Sequence, residues 1–275
     1  MRDSPCLQAP APDQLIQVEL LARKAYSGSD PARMHALGIA LERQRGVHAI
    51  GSDRRQDFDT WPGTLSYTPP GVDVFSESAV GGEYLVLRWA SDDVLSNAGM
   101  PQRRHSWTGQ AKALAASQRL RHALLAAEPD RLAVEEAAWE FLAGPIPPTR
   151  ISNPVQQACY RRVLDRIHAE FDQPLTLADL AGAESLQPLQ LLRGFTRQVG
   201  MTPHAFIVET RMQSARAALR AGHASLADIA LDCGFAHQSH MGAAFRKLLG
   251  LTPMQYRQLQ RIQPLQDRPL ALKKP

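Results

Sequence analysis

The chain is poor in cysteine: three among 275 residues, Cys6, Cys159 and Cys233, far apart and with no Cys-x-x-Cys pair. An odd, scattered set excludes a disulfide framework and a cysteine zinc site, and it suits a reducing cytoplasm. No run approaches the ~18 uninterrupted apolar residues that a membrane helix needs. Met1 to Asp13 has three prolines and two acids but no apolar centre, which excludes a secretory signal and reads as a disordered lead-in. The front half lacks a His-x-His pair, a Gly-rich phosphate loop, a Gly-x-Ser-x-Gly elbow and a Cys/His nucleophile pattern. No catalytic residue, metal or cofactor is expected, and the chain reads as a non-enzyme. What is present is ordinary globular material: 44% hydrophobic and 21% charged residues exclude disorder. The length suits two domains, at roughly 100–200 residues each.

Charge divides the chain. Residues 1–150 carry 16 Lys+Arg against 18 Asp+Glu, whereas residues 151–275 carry 15 against 9. A surplus of positive charge suits a phosphate backbone, and here only the back half has it.

Punctuation divides it further. Gly144 to Pro154 packs four prolines and a glycine into eleven residues, which cannot continue a helix or a central strand, so 144–155 reads as a semi-rigid linker. Upstream, short β-branched and aromatic runs (46–51, 64–68, 73–76, 83–89) alternate with Gly/Pro turns, as in a small barrel or sandwich. Strands are expected over about 15–104; residues 13–25 fit a strand or a short helix. From 109 to 143 the period becomes helical, with Leu114, Leu120, Leu124 and Leu125 before Glu128-Pro129-Asp130, and Val134, Ala138, Phe141 and Leu142 after it. This predicts an antiparallel helix pair, packed on the barrel or on a second copy.

The back half repeats itself. Thr176-Leu177-Ala178-Asp179-Leu180-Ala181 corresponds to Ser225-Leu226-Ala227-Asp228-Ile229-Ala230, 49 residues on. Phe195, Gly200, Thr202-Pro203 and Phe206 correspond to Phe245, Gly250, Thr252-Pro253 and Tyr256, each 50 residues on. Self-similarity at a fixed period marks a duplicated structural unit. Thr176 and Ser225 can cap a helix start, with Asp179 and Asp228 reaching back. Second helices follow, at 188–198 with Leu191, Phe195 and Val199 inward, and at 238–249 with Met241, Phe245 and Leu248 or Leu249 inward. Gly200 and Gly250 end them in the left-handed region that favours glycine. Short helix, turn and second helix with an inward stripe is a helix-turn-helix, present twice. The helix between the copies, about 19 residues, is roughly 28 Å long. That would set two outward faces about one DNA turn apart.

Residues Val163 to Arg257 resemble the DNA-binding domain of AraC/XylS-type transcription regulators. The second unit carries the stronger signature: Ile229-Ala230, Gly234-Phe235, Gln238-Ser239, Phe245-Arg246-Lys247, Gly250-Leu251-Thr252-Pro253 and Tyr256-Arg257. The first matches through Leu180-Ala181, Leu191 to Phe195, Gly200, Pro203 and Arg211. The front half, through Trp61 to Gly71, more loosely resembles the cupin-like effector domains that precede it in this family. The chain departs from the pattern at Met241, where an aromatic is usual, and at Ala243, Gln187 and Leu189.

The resemblance implies an N-terminal cupin-like β-barrel over 15–143 that senses or dimerises, and an all-α double helix-turn-helix domain over 156–262 with a flexible tail, 263–275. The implied partners are double-stranded promoter DNA, RNA polymerase, a small-molecule effector and a second copy of the chain, with no membrane. The implied DNA contacts are Gln190, Arg193 and Arg197 on the first reading helix, and His237, Gln238, Ser239, Arg246 and Lys247 on the second. Arg193 could pair bidentately with guanine and Gln238 with adenine, while Arg246 and Lys247 suit phosphates. A solvated helix face is the competing reading, and His237 could instead cap its helix. Trp61, Tyr67, Phe75, Tyr84 and Trp89 are the candidate effector contacts, or simply core. Two rivals stay open: a constitutive DNA binder without ligand, and a DNA-binding module joined to a catalytic domain, such as a cupin or a cysteine-based alkyl-transfer domain.

Overall fold

Burial alternates along Ile16–Leu21, with Ile16, Val18 and Leu20 inside. A period of two makes a half-buried strand, and in the computed structural model this segment is β1, which settles strand against helix. The structure describes residues 16–31, 33–90, 101–126, 130–143, 154–222, 224–262 and 270–272. The lead-in and nearly all of the proline-rich linker lie outside the described residues.

Among the described residues, β1 is followed by β2 (Tyr26–Pro31), β3 (His35–Ala40), β4 (Gln44–Ile50), β5 (Gln56–Thr60), β6 (Leu65–Thr68), β7 (Asp73–Ser78), β8 (Tyr84–Trp89), β9 (His105–Trp107) and β10 (Leu270–Leu272). They form two antiparallel sheets, ordered β10-β1-β8-β3-β6-β9 and β2-β7-β4-β5. This corrects the expected barrel: among the described residues no strand pairs across the two sheets, so the wall is not closed. The chain passes repeatedly from one sheet to the other, and sequence neighbours pair only at β4–β5. An up-and-down barrel would need neighbours paired throughout. β10 falls within the segment expected to be a loose tail, yet it pairs with β1 through Ile16–Leu272 and Val18–Leu270.

The larger sheet has two unlike faces. Leu37, Ile39, Leu65, Leu85, Leu87 and Trp89 are buried on one. Their alternates Ala36, Gly38, Ser66, Thr68, Tyr84, Val86 and Arg88 line a cavity on the other. At Gly38 any Cβ would strike the Tyr84 ring, so glycine is what lets that ring lie against β3.

The helices are α1 (Ala111–Leu125), α2 (Arg131–Ala143), α3 (Pro154–Glu170), α4 (Leu177–Ala183), α5 (Pro188–Val199), α6 (Pro203–Ala221), α7 (Leu226–Asp232), α8 (Gln238–Leu249) and α9 (Pro253–Ile262). Contacts divide the chain into two units: 1–107, 134–147 and 266–275, and 108–133 with 148–265. The helix pair expected at 109–143 is thereby split. α1 belongs with the C-terminal helices, and most of α2 belongs with the sheets.

In the C-terminal unit the caps follow the sequence. Thr176 Oγ1 accepts from the Asp179 amide at 3.1 Å, and the Thr176 amide donates to Asp179 Oδ2 at 3.0 Å. Ser225 Oγ accepts from the Asp228 amide at 3.1 Å. Gly200 and Gly250 close α5 and α8 at φ 90° and 70°. Leu191, Phe195 and Val199 are buried from α5, and Met241, Phe245 and Leu249 from α8. Phe195 meets Phe206 edge-on at 6.0 Å, and Phe245 meets Tyr256 at 5.8 Å. These pairs are the anchors of the two repeats. Phe245→Ala is expected to lower unfolding free energy by about 3–5 kcal/mol through the cavity it leaves. Urea denaturation checks this, and an unchanged midpoint would mean that the helix phase is misassigned.

Candidate nucleic-acid interface

A helix that buries one stripe exposes the opposite one. With Phe195 inward, Gln190, Arg193 and Arg197 of α5 stand exposed. With Phe245 inward, Gln238, Ser239, Arg246 and Lys247 of α8 stand exposed, and His237 is exposed at its N-cap. All eight expected contact residues are thus at the surface, on or beside the two second helices.

Two of them also have local work. The His240 amide donates to His237 Nδ1 at 3.2 Å, which is the capping role weighed for this histidine. The Gln187 amide donates to Gln190 Oε1 at 3.1 Å at the start of α5. Arg197, Arg246 and Lys247 lie in last helical turns, where positive charge complements the helix dipole. Leu189 is 54% exposed beside Gln190, so an apolar side chain belongs to the α5 surface. Ala243 is exposed on α8, and Met241 is buried.

The turns are held from behind. Arg211 Nε donates to the Phe171 carbonyl at 2.6 Å and its Nη2 to that of Gln173 at 2.9 Å, just before α4. Arg257 Nη2 donates to the Ala224 carbonyl at 2.8 Å, just before α7. Both arginines are structural. Arg162 of α3 pairs with Glu184 at the end of α4, and this hydrogen-bonded guanidinium holds the Glu184 carboxyl below its ordinary range. Burial pushes the Cys233 thiol up, and burial followed by Glu184 does the same for Cys159. Neither described cysteine has the depressed pKa that alkyl transfer or redox sensing requires; Cys6 lies outside the described residues.

α1 was expected as a helix, but its packing with the C-terminal helices is what sequence reasoning missed. Gly109, at φ 81°, sits so close to α5 that a Cβ there would strike the Arg197 carbonyl oxygen. A Cβ at Gly200 would lie 3.4 Å from the Ala111 amide nitrogen. Farther along, α1 packs on α8, and a Cβ at Gly250 would meet the His122 ring. One helix, roughly 22 Å long, therefore runs from the end of α5 to the end of α8. Arg121 Nη1 donates to Glu209 Oε1 at 3.1 Å and ties α1 to α6, with both side chains buried. Gly200 and Gly250 were visible in sequence, but only as helix punctuation.

The front cavity, about 380 Å³, lies between the two sheets of the N-terminal unit. Of the five aromatics expected there, Tyr84 lines it. Tyr67 and Trp89 face the opposite side of their sheet, where His35 stacks on Trp89 at 5.3 Å and hydrogen-bonds Tyr67 Oη at 2.7 Å. Trp61 lies under the Arg43 guanidinium and Phe75 under that of Arg55. The lining comes instead from the alternates, such as Ser66, Thr68, Val74, Ser76 and Arg88.

Residues 180–259 match the helix-turn-helix domain family. Over 97 residues the chain is 32% identical to the HTH-type transcriptional regulator MtrA of Neisseria gonorrhoeae, covering 35% of this chain and 31% of that protein. Over 91 residues it is 33% identical to a putative AraC-like transcription regulator of Streptomyces lividans, covering 33% of this chain and 30% of that protein. The C-terminal unit carries a helix-turn-helix domain similar to those of AraC-like transcription regulators. A solved AraC-type transcriptional regulator from Chromobacterium violaceum aligns with 41% of this chain and 99% of its own at 28% identity, with a TM-score of 0.38. The chain spans about a third of the length of the curated relatives it matches. Among the described residues, no helix is long and apolar enough to cross a membrane.

A helix outside the matched residues thus packs on α8 and begins against the C-terminal end of α5. Gly109→Ala and Gly222→Ala start from the same φ of 81°, and a Cβ at Gly222 has no neighbour nearer than 3.9 Å. Gly222→Ala should cost only the left-handed strain of about 1–2 kcal/mol. Gly109→Ala should cost measurably more by chemical denaturation, and equal costs would contradict the close seat of α1 on α5.

Proposed function

We propose that the chain is a sequence-specific DNA-binding transcription regulator whose AraC-type domain reads two successive major grooves with α5 and α8. The observation that carries this reading is the duplicated unit, with both polar helix faces exposed while both phenylalanines are buried. Arg193 and Gln238 are the base-reading residues, through bidentate contacts to guanine and adenine. Gln190, His237 and Ser239 flank them at the groove-facing helix starts, and Arg197, Arg246 and Lys247 hold phosphates. The N-terminal unit, with its cavity between two sheets, is the effector domain. RNA polymerase and a second copy of the chain are the further partners that the resemblance implies. An effector would act by binding more tightly to one state of the protein than to another.

The reading is tested by fluorescence anisotropy with promoter fragments over a range of salt. Affinity should fall steeply as salt rises, because phosphate contacts release counterions. Arg193→Ala should cost about 1–3 kcal/mol on a specific site and relax one base position, whereas Lys247→Ala should weaken all sequences alike and flatten the salt slope by about one. Binding that is insensitive to salt and to both substitutions would overturn the proposal.

A further inference from the structure

The front cavity is uneven in charge. Arg88 already donates to Glu19 Oε2 at 2.7 Å and Asp30 Oδ2 at 3.3 Å, so its charge is met within the protein. Arg104 also lines the cavity, and its Nη1 donates to Thr68 Oγ1 at 2.6 Å. Among the described residues it has no carboxylate partner. Its charge reaches Tyr26, His48 and Tyr84, which line the same space. Burial, and then this charge, hold the His48 imidazole below its ordinary pKa, so the neighbourhood disfavours a further cation. Hydroxyls are close by: Tyr26 Oη and Ser76 Oγ are 3.2 Å apart, and Ser66 and Thr68 lie on the facing sheet.

Space is available beside this cluster. Along β2, Tyr26 and Asp30 turn inward to Ser76 and Arg88, and strand alternation puts the Gly28 Cα–Cβ direction on the same side. A Cβ on Gly28 would meet nothing within 4 Å. Phe58, Val74 and Val86 supply apolar wall. The volume of about 380 Å³ falls in the range of small-molecule sites. A guanidinium without a carboxylate partner, hydrogen-bonded to the Thr68 hydroxyl, matches a carboxylate, which it can hold through paired N–H donors.

We propose that this cavity binds a small organic monocarboxylate, its carboxylate on Arg104 and the hydroxyls, its body against Phe58, Val74 and Val86. The proposal rests on reading the N-terminal unit as the effector domain, and it names the class of effector.

The test is calorimetric titration of the whole chain with aromatic and aliphatic monocarboxylates of roughly six to ten carbons, each beside the primary alcohol of the same skeleton. At least one acid should bind about tenfold or more tightly than its alcohol. Arg104→Gln should abolish that preference, and Arg104→Lys, which keeps the charge, should retain part of it. Gly28→Leu, placed in open space, should abolish binding of acid and alcohol alike while leaving the unliganded melting temperature unchanged. Alcohols that bind as well as acids, an acid preference that survives Arg104→Gln, or no acid binding at all would each overturn the proposal. DNA binding by the same samples separates the two readings. Protein that binds DNA but prefers neutral ligands loses only the anion site; protein that binds acids but no DNA loses only the regulator.

Discussion

The burial of one phenylalanine per repeat, Phe195 on α5 and Phe245 on α8, governs everything that the back half can do. Each is fully buried. Residues four apart lie on one helix face, so fixing these two rings fixes the helix rotation. Leu191 and Val199 go inward with the first ring, and Met241 and Leu249 with the second. Arg193, Arg197, Arg246 and Lys247 are left outside. The inward stripe supplies the stability and the outward stripe the chemistry, and neither can be rotated without losing the other.

Rotation alone does not fix where the two exposed faces lie; α5 and α8 must also hold a fixed separation. α6 provides one link, and α1 adds a second, passing from the glycine-closed end of α5 to that of α8. The Arg121–Glu209 pair ties these two links together at 3.1 Å. A buried ion pair is weak support for net stability, but breaking one partner of it is costly. The same residues that cap the reading helices, Gly200 and Gly250, are those that admit α1 to close range. Glycine at these positions therefore meets two demands at once, left-handed backbone and a neighbour within contact distance.

Much of the C-terminal unit was legible in sequence because its signals are local. Caps act within four residues, and the stripe Leu191, Phe195, Val199 is a helix-period pattern. Both depend on few long-range contacts. The front half was legible only as strands. Its strand positions followed from Gly/Pro punctuation, but which face looks at the cavity depends on how the sheets are stacked. That single parity decides between Tyr67 and its neighbours Ser66 and Thr68. Large aromatics were the natural candidates, yet in this sheet Tyr67 and Trp89 turn away with the leucines, while Tyr84, Val86 and smaller side chains line the space. Membership of α1 was illegible for a similar reason: an amphipathic stripe reports that a helix is covered, not by what. Closure of the strands into a barrel failed because turn signals do not say which strand pairs with which.

The two units differ in chemistry: the C-terminal unit exposes polar and basic helix faces with its apolar stripes inside, and the front sheet pair lines a cavity with both apolar and polar side chains. Selection of bound sequences from a random DNA pool by the purified 275-residue chain tests the central claim most directly. Two enriched tracts whose centres lie about one helical turn, ~10 bp, apart are the expected result. A single tract, tracts at variable spacing, or no enrichment would contradict a reader built from two fixed helices.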